Sequence, residues 1–162
     1  MPYDIALKWD EDLQGCKWSF EDNDLVCDYS LLTSVYVSLF TDAKAAEDDI
    51  LPDIRSTDRR GWWGDAVNAD LKTDKIGSLL WLLERSSGTE DITTKAKIYI
   101  QEALEWMITE GIASDINIET ELQRTRDLGT LILAFQVKIL KPDGTTDTFK
   151  FFKEWEAIAN GT

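Results

Sequence analysis

The sequence predicts an α+β fold: two to three helices packed on one face of a mostly antiparallel sheet, made of a C-terminal β-meander plus an N-terminal strand. Three observations predict it. Residues 90–110 place Ile92, Ala96, Tyr99, Ile100, Ala103, Leu104, Met107 and Ile108 on one helical stripe. Residues 115–155 then switch to a period of two, interrupted by KPDG. At the other end, YDIALKW sets Tyr3, Ile5, Leu7 and Trp9 against Asp4, Ala6, Lys8 and Asp10.

Each element follows from local chemistry. The alternation of YDIALKW fits a half-buried strand. In SLLTSVYVSLFT, residues 30–41, the spacing of Leu32, Val35, Tyr36, Leu39 and Phe40 predicts a first helix, with Asp28 or Ser30 available as N-cap. Residues 42–74 hold Pro52, several aspartates and the Gly61 to Gly64 segment without a sustained period, which predicts a long functional loop. KIGSLLWLLER, residues 75–85, predicts a second helix capped by Asp74, with Ile76, Leu79, Leu80 and Leu83 on one face. Trp81 and Leu82 make it apolar almost all round, so it must be buried or covered.

In the helix over 90–110, Glu90 and Asp91 suit the positive end of the helix dipole, Asp91 and Lys95 can pair, and Gly111 can end the helix in the left-handed conformation. Beyond it DINIETE alternates, and TLILAFQVKIL puts Leu131, Leu133, Phe135, Val137 and Ile139 opposite Gln136 and Lys138. KPDG, residues 141–144, predicts a turn, and TTDTFKFFKEW the returning strand. The 162 residues are read as one domain, long enough to bury about 70% of the surface of the unfolded chain.

Composition narrows the function. Thirty-one acids against 17 bases give a formal charge of −14, which repels phosphate backbones and anionic lipid, so neither nucleic acid nor membrane is an expected partner. The start MPYDIALKWDED has no apolar run, predicting cytoplasmic synthesis and reduced thiols. Cys16 and Cys27, the two cysteines, are expected to be small buried hydrophobes. The absence of histidine removes His-based acid/base catalysis, His-activated nucleophiles and the commonest transition-metal ligand. The acidic runs EDNDLVCD and EDDILPD lack the D-x-[DN]-x-[DN]-G-x₅-E calcium pattern, and neither metal nor cofactor is expected.

DRRGWWGD, residues 58–65, carries the strongest functional signal. A buried Trp removes on the order of 150–250 Å² from water, about 4–6 kcal/mol at ~25 cal/mol per Å². Two adjacent indoles in a loop must therefore fold back into their own core or be covered by a partner. Flanking glycines let the backbone turn so that one ring faces inward and the other outward. Arg59 and Arg60 can stack on an indole or pair with an acid such as Asp58 or Asp65.

The blocks DIALKWD, LLTSVYVSLFTD, LPD followed by DRRGWWGD, IGSLLWLLER and AKIYIQEALEWMITEGIASDI stand in an order that resembles the Mu-like contractile-phage baseplate protein family, over essentially the whole chain. That family is related to the lysozyme-like wedge proteins of T-even phage baseplates and to their type VI secretion counterparts. The resemblance implies a structural wedge subunit that binds a larger wedge protein, lies in the virion tail baseplate and is made in the host bacterial cytoplasm. It also implies oligomeric assembly within the baseplate and no enzyme activity. A Glu-Pro-Arg motif follows the long helix in the wider superfamily. Here the stretch reads Glu110, Gly111, Ile112, which keeps the acid and lacks the other two.

The expected partner-binding residues are Arg59, Arg60, Trp62, Trp63 and Asp65 of the loop, the edges of Trp81 and Trp106, and Glu110. Two other readings compete. A carboxylate-based cell-wall glycosidase would use Asp58 with Asp65, or Glu84, about 5–9.5 Å apart. An acidic adaptor would bind a basic host protein through a salt-sensitive contact.

Overall fold

The C-terminal sheet follows directly from the alternation. In this computed structural model, which describes residues 4–10, 15–28, 31–67, 76–84, 90–124 and 131–155, three ten-residue strands pair antiparallel in the order β7 (Asp115–Arg124), β8 (Leu131–Leu140), β9 (Thr146–Trp155). The register sets Ile118 opposite Val137 and Phe135 opposite Phe151. With a period of two, Leu133, Phe135, Val137 and Ile139 join Ile116, Ile118 and Phe151 on one buried face. Gln136 and Lys138 lie on the other, where Lys138 Nζ is 3.0 Å from Glu119 Oε1.

KPDG makes the expected turn: the Gly144 N–H donates to Lys141 O at 3.0 Å, and the Lys141 N–H to Thr145 O at 2.8 Å. The Thr145 hydroxyl and amide both donate to Asp143 Oδ1, at 2.6 and 2.8 Å, and the hydroxyl first holds that carboxyl below the ordinary aspartate range. A depressed folded value contributes stability above the unfolded value of about 3.9, and this is lost as pH falls through the folded value. In a carboxyl NMR titration Asp143 is expected to titrate below that reference, and Thr145→Val to move it up. An unchanged midpoint in the variant would remove the hydroxyl as the cause.

The stripe over 90–110 produces α3 (Glu90–Thr109). Ile92, Ala96, Ile100, Leu104 and Met107 are buried against β7 and the helix over 32–40, and Tyr99 and Ala103 are half-buried. Ile108 is exposed, contrary to the expected stripe. The Ile112 and Ala113 amides both donate to Met107 O, so the chain turns beneath Met107 and leaves Ile108 outside. Gly111, at φ +70°, ends the helix as expected. The Glu90 and Asp91 side chains lie outside the description.

The first helix is α1 (Leu32–Phe40), with Val35, Tyr36 and Leu39 buried. Its Tyr36 and Phe40 rings pack on Phe135 and Phe151 with centroids 5.4–6.4 Å apart. Its N-cap is Leu31, with no side-chain cap bond. Asp28 instead sits in a strand opposite Asp4, while Ser30 falls outside the described residues. Thr33 of the first turn ties the helix to the N-terminal arm, its hydroxyl donating to Ile5 O at 2.9 Å.

That arm departs from the single strand expected. It forms three short antiparallel pairs: β1 (Asp4–Ile5) with β6 (Cys27–Asp28), β2 (Leu7–Asp10) with β3 (Gly15–Trp18), and β4 (Phe20–Glu21) with β5 (Asp24–Leu25). They meet where Ala6, Ser19 and Val26 exchange backbone hydrogen bonds of 2.7–3.2 Å. The chain changes partners at Ala6, so crossing backbones bury Ala6 and leave Ile5 exposed, reversing the expected faces at these two residues, while Leu7 packs on the core and Lys8 is exposed as expected. Cys27 is exposed rather than buried. It pairs with Ile5 while Cys16 pairs with Trp9, so the two cysteines belong to different ladders.

The helix expected over 75–85 is replaced by an irregular segment and a single 3-10 turn at Leu80–Leu83. Gly77 adopts φ +113°, outside helical space, and Ser78 forms a parallel bridge with Asp42. Side-chain chemistry fixes the break, because the buried Ser78 hydroxyl donates to Leu39 O at 2.6 Å and accepts the Leu80 amide at 3.3 Å. The expectation that this segment is covered holds: Leu80, Trp81, Leu82 and Leu83 are all buried. Asp74 lies outside the described residues. Among those residues no helix is long and apolar enough to cross a membrane.

Candidate functional site

The site is assembled on the loop that leaves α1. Thr41 O accepts the Ser78 amide at 2.9 Å and the Ala43 amide donates to Ser78 O at 3.0 Å, so the outgoing chain is fastened to the segment before the 3-10 turn. Further on, the Ala45 amide donates to Arg59 O at 3.2 Å, bringing DRRGWWGD back over that start.

Arg59 turns inward on its own loop. Its guanidinium donates to the carbonyls of Ala46, Glu47 and Asp49, the Glu47 bond measuring 2.7 Å. A guanidinium offers five N–H donors in a fixed fork, and these carbonyls receive several of them. The side chain therefore acts as a staple across residues 46–59.

Arg60 joins three stretches of sequence. Its Nη1 lies 2.6 Å from Asp42 Oδ2 and its Nη2 3.3 Å from Glu84 Oε2, while Cζ stands 4.9 Å from the centre of the Trp81 ring. The hydrogen bond to Asp42 raises the guanidinium above its ordinary value, so it is charged throughout the accessible pH range. All three side chains of the ion pairs are more than a third exposed, so each pair adds only about 0.5 kcal/mol. The cation–π contact contributes about 0.5–1 kcal/mol. Arg60 also holds φ +43°, uncommon for a residue with a Cβ and uphill by about 1–2 kcal/mol. Asp58 Oδ1 accepts its backbone N–H at 2.8 Å and helps fix that conformation.

The two indoles separate as GWWG suggests. Trp62 is half-buried, and a Cβ added at Gly64 would lie 2.1 Å from its ring, so the indole is laid across a position only glycine can occupy. Trp63 opens the one-turn helix α2 (Trp63–Val67) and remains 76% exposed, its ring 5.4 Å from that of Trp62. Asp65 is partly buried, with Oδ1 lacking a hydrogen-bond partner among the described residues.

The remaining candidates are placed differently. Trp81, expected to present an edge, is 2% exposed. Its Nε1 donates to Ala43 O at 2.9 Å, and Arg60 covers its face. Trp106 of α3 is 37% exposed, with Nε1 donating to Ser38 Oγ at 3.1 Å. Glu110 is exposed one helical turn beyond Trp106, its amide donating to Trp106 O at 2.8 Å. The structure thus joins Arg60 to Trp81 and Trp62 to Trp63, while Trp106 and Glu110 belong to the end of α3.

Sequence reasoning assigned Arg60 to Asp58 or Asp65 and missed its carboxylate partners, Asp42 and Glu84. Of the three carboxylates weighed for an acid/base pair, two are employed around Arg60, Asp58 binding its amide and Glu84 its guanidinium, while Asp65 is not among its partners. Sequence reasoning also passed over Ile50 and Ile54, which stand in water on the stapled loop. The available signal was two isoleucines four apart in an acid-rich stretch with no period to bury them.

The fold and site define a small α+β protein that carries an exposed tryptophan on an arginine-pinned loop. The chain belongs to the phage protein GP46 family, which matches residues 31–146 and so includes the loop, α1, α3, β7 and β8. It is 42% identical over 128 residues to baseplate protein gp46 of Escherichia phage Mu, covering 79% of this chain and 81% of that protein. It is 30% identical over 152 residues to the Mu-like prophage FluMu protein gp46 of Haemophilus influenzae, covering 94% and 97%. The resemblance to Mu-like phage baseplate proteins read from the sequence is borne out.

Proposed function

We propose that the protein is a structural subunit of a phage tail baseplate, located in the virion, and that its chemistry is non-covalent assembly rather than catalysis. In this reading it is a wedge component of a contractile tail and binds a larger wedge protein, with Trp63 as the principal contact. Membership of the GP46 family and the naming of its Mu relative as a baseplate protein support the role. The observation that carries the site is Trp63, 76% exposed on a loop whose backbone is pinned by Arg59 and Arg60. An aromatic held rigidly in water has the character of an interface hot spot, since covering it removes apolar area and orders little further chain. Trp62 and Arg60 position the loop, and Asp65, Trp106 and Glu110 extend the candidate contact surface.

The test is co-expression with the larger baseplate protein followed by size-exclusion chromatography. Trp63→Ala is expected to weaken the complex by about 2 kcal/mol, roughly 30-fold, with an unchanged circular dichroism spectrum. Unaltered co-elution of a folded Trp63→Ala variant would remove Trp63 from the interface. Absence of a wild-type complex would count against the wedge assignment.

A further inference from the structure

A second surface lies beside the stapled loop. The backbone of residues 46–56 is fixed by its own hydrogen bonds: three carbonyls hold Arg59, the Ala46 amide donates to Asp49 Oδ2 at 2.7 Å, and Asp53 accepts the Arg55 and Ser56 amides at 2.9 Å. None of these bonds buries a hydrophobic side chain. Ile50 and Ile54, on either side of Pro52, stand 83% and 88% exposed, more than any other large apolar residue described. Covering apolar side chains is favourable in proportion to the area removed from water, so a loop that keeps both exposed forgoes that gain.

They line a cleft of about 620 Å³ between this loop, the 3-10 turn and α3. Leu51, Leu82, Leu83 and Tyr99 give it an apolar floor, and Asp48 and Asp49 supply two carboxylates against the ammonium of Lys95, the third acid, Glu84, being shared with Arg60. The chain around it carries a formal charge of −14. A second copy brings the same negative charge and is repelled, as are phosphate and anionic lipid. An apolar side chain flanked by lysine or arginine fits both the floor and the rim.

We propose that this cleft docks a basic-flanked apolar segment of another tail protein, with Ile50 and Ile54 as the anchors this chain contributes. The proposal rests on the reading of the chain as an assembly subunit, but uses a surface apart from Trp63. Mutually dependent contacts at two surfaces would hold the subunit by multivalency.

The test is site-specific photocrosslinking with p-benzoylphenylalanine at position 54, and separately at position 63, of the full chain co-expressed with the tail genes. Adducts are identified by mass spectrometry. The expected result is a crosslink from position 54 to a segment in which an apolar residue is flanked by lysine or arginine. The surface variant Ile50→Ser/Ile54→Ser is expected to retain the wild-type circular dichroism spectrum and to fall at least 10-fold in incorporation. A crosslink to a second copy or to an acidic segment would overturn the proposal. So would an absence of adducts at position 54, or normal incorporation of the double variant. Loss of adducts at position 63 alone would count against the Trp63 surface and leave the cleft standing.

Discussion

Gly77→Ala is expected to destabilise the protein by about 3 kcal/mol, among the largest effects of any single methyl addition. Gly77 sits at φ +113°, and an added Cβ would lie 2.5 Å from Thr41 O and 2.8 Å from the Ala43 amide nitrogen. Both obstacles are backbone atoms that themselves make the hydrogen bonds joining residues 41–43 to Ser78, Thr41 O as acceptor and the Ala43 N–H as donor. Neither can rotate away as a side chain would, so relief requires parting the two segments. For a chain of this size the loss corresponds to a fall in Tm of roughly 6–12 °C by calorimetry. Gly144→Ala is the control. It shares a positive φ of +83° but has nothing within 4 Å of the new methyl, so only the conformational term of about 1–2 kcal/mol remains. Equal losses at the two positions would show that the Thr41 contact contributes nothing.

Trp81→Ala is expected to cost about 3–5 kcal/mol, in contrast to the near-neutral stability of Trp63→Ala. Trp81 is buried, packs with Ala45 and Leu82, donates to Ala43 O, and provides the ring on which Arg60 rests. Truncation leaves a cavity, an unpartnered carbonyl and an arginine without its platform. Trp81→Phe separates these contributions. It restores most of the volume and leaves the Ala43 carbonyl without its donor, for an expected loss of about 1–3 kcal/mol. Urea denaturation of the three variants gives the ordering directly. If Trp63→Ala proved as damaging as Trp81→Ala, the assignment of one indole to the interior and the other to the surface would be wrong.

The contrast between these tryptophans shows where the sequence was legible. Helix α3 and the meander could be read because one face of each is apolar at the period of its backbone, as Ile92 to Met107 and Leu133 to Ile139 show. KIGSLLWLLER misled because a run that is apolar all round has no phase, and its burial could be read while its shape could not. The shape was decided by Gly77 and by the Ser78 hydroxyl, whose partner Leu39 lies 39 residues away. Ala6 and Ile5 exchanged faces for a similar reason: the partner switch there depends on Ser19 and Val26, not on the alternation of YDIALKW. In the site, the composition of DRRGWWGD allowed one ring inward and one outward, and the structure leaves Trp62 half-buried and Trp63 exposed at the start of α2. The partners chosen by Arg60, at positions 42 and 84, are set only by tertiary closure.

The Ser78 hydroxyl links Leu39 at the end of α1 to Leu80 at the start of the 3-10 turn. The roots of the tryptophan loop are thereby part of the hydrophobic interior and not a hinge at its margin. Opening the loop at its base would leave the Ser78 hydroxyl and its partners without hydrogen bonds inside the core, at about 1–3 kcal/mol for each buried group left unpaired. On the proposed reading, a partner would meet Trp63 on a loop whose base was set when the chain folded. Less chain entropy would then be lost at the base of the loop on docking, which favours recognition with little rearrangement.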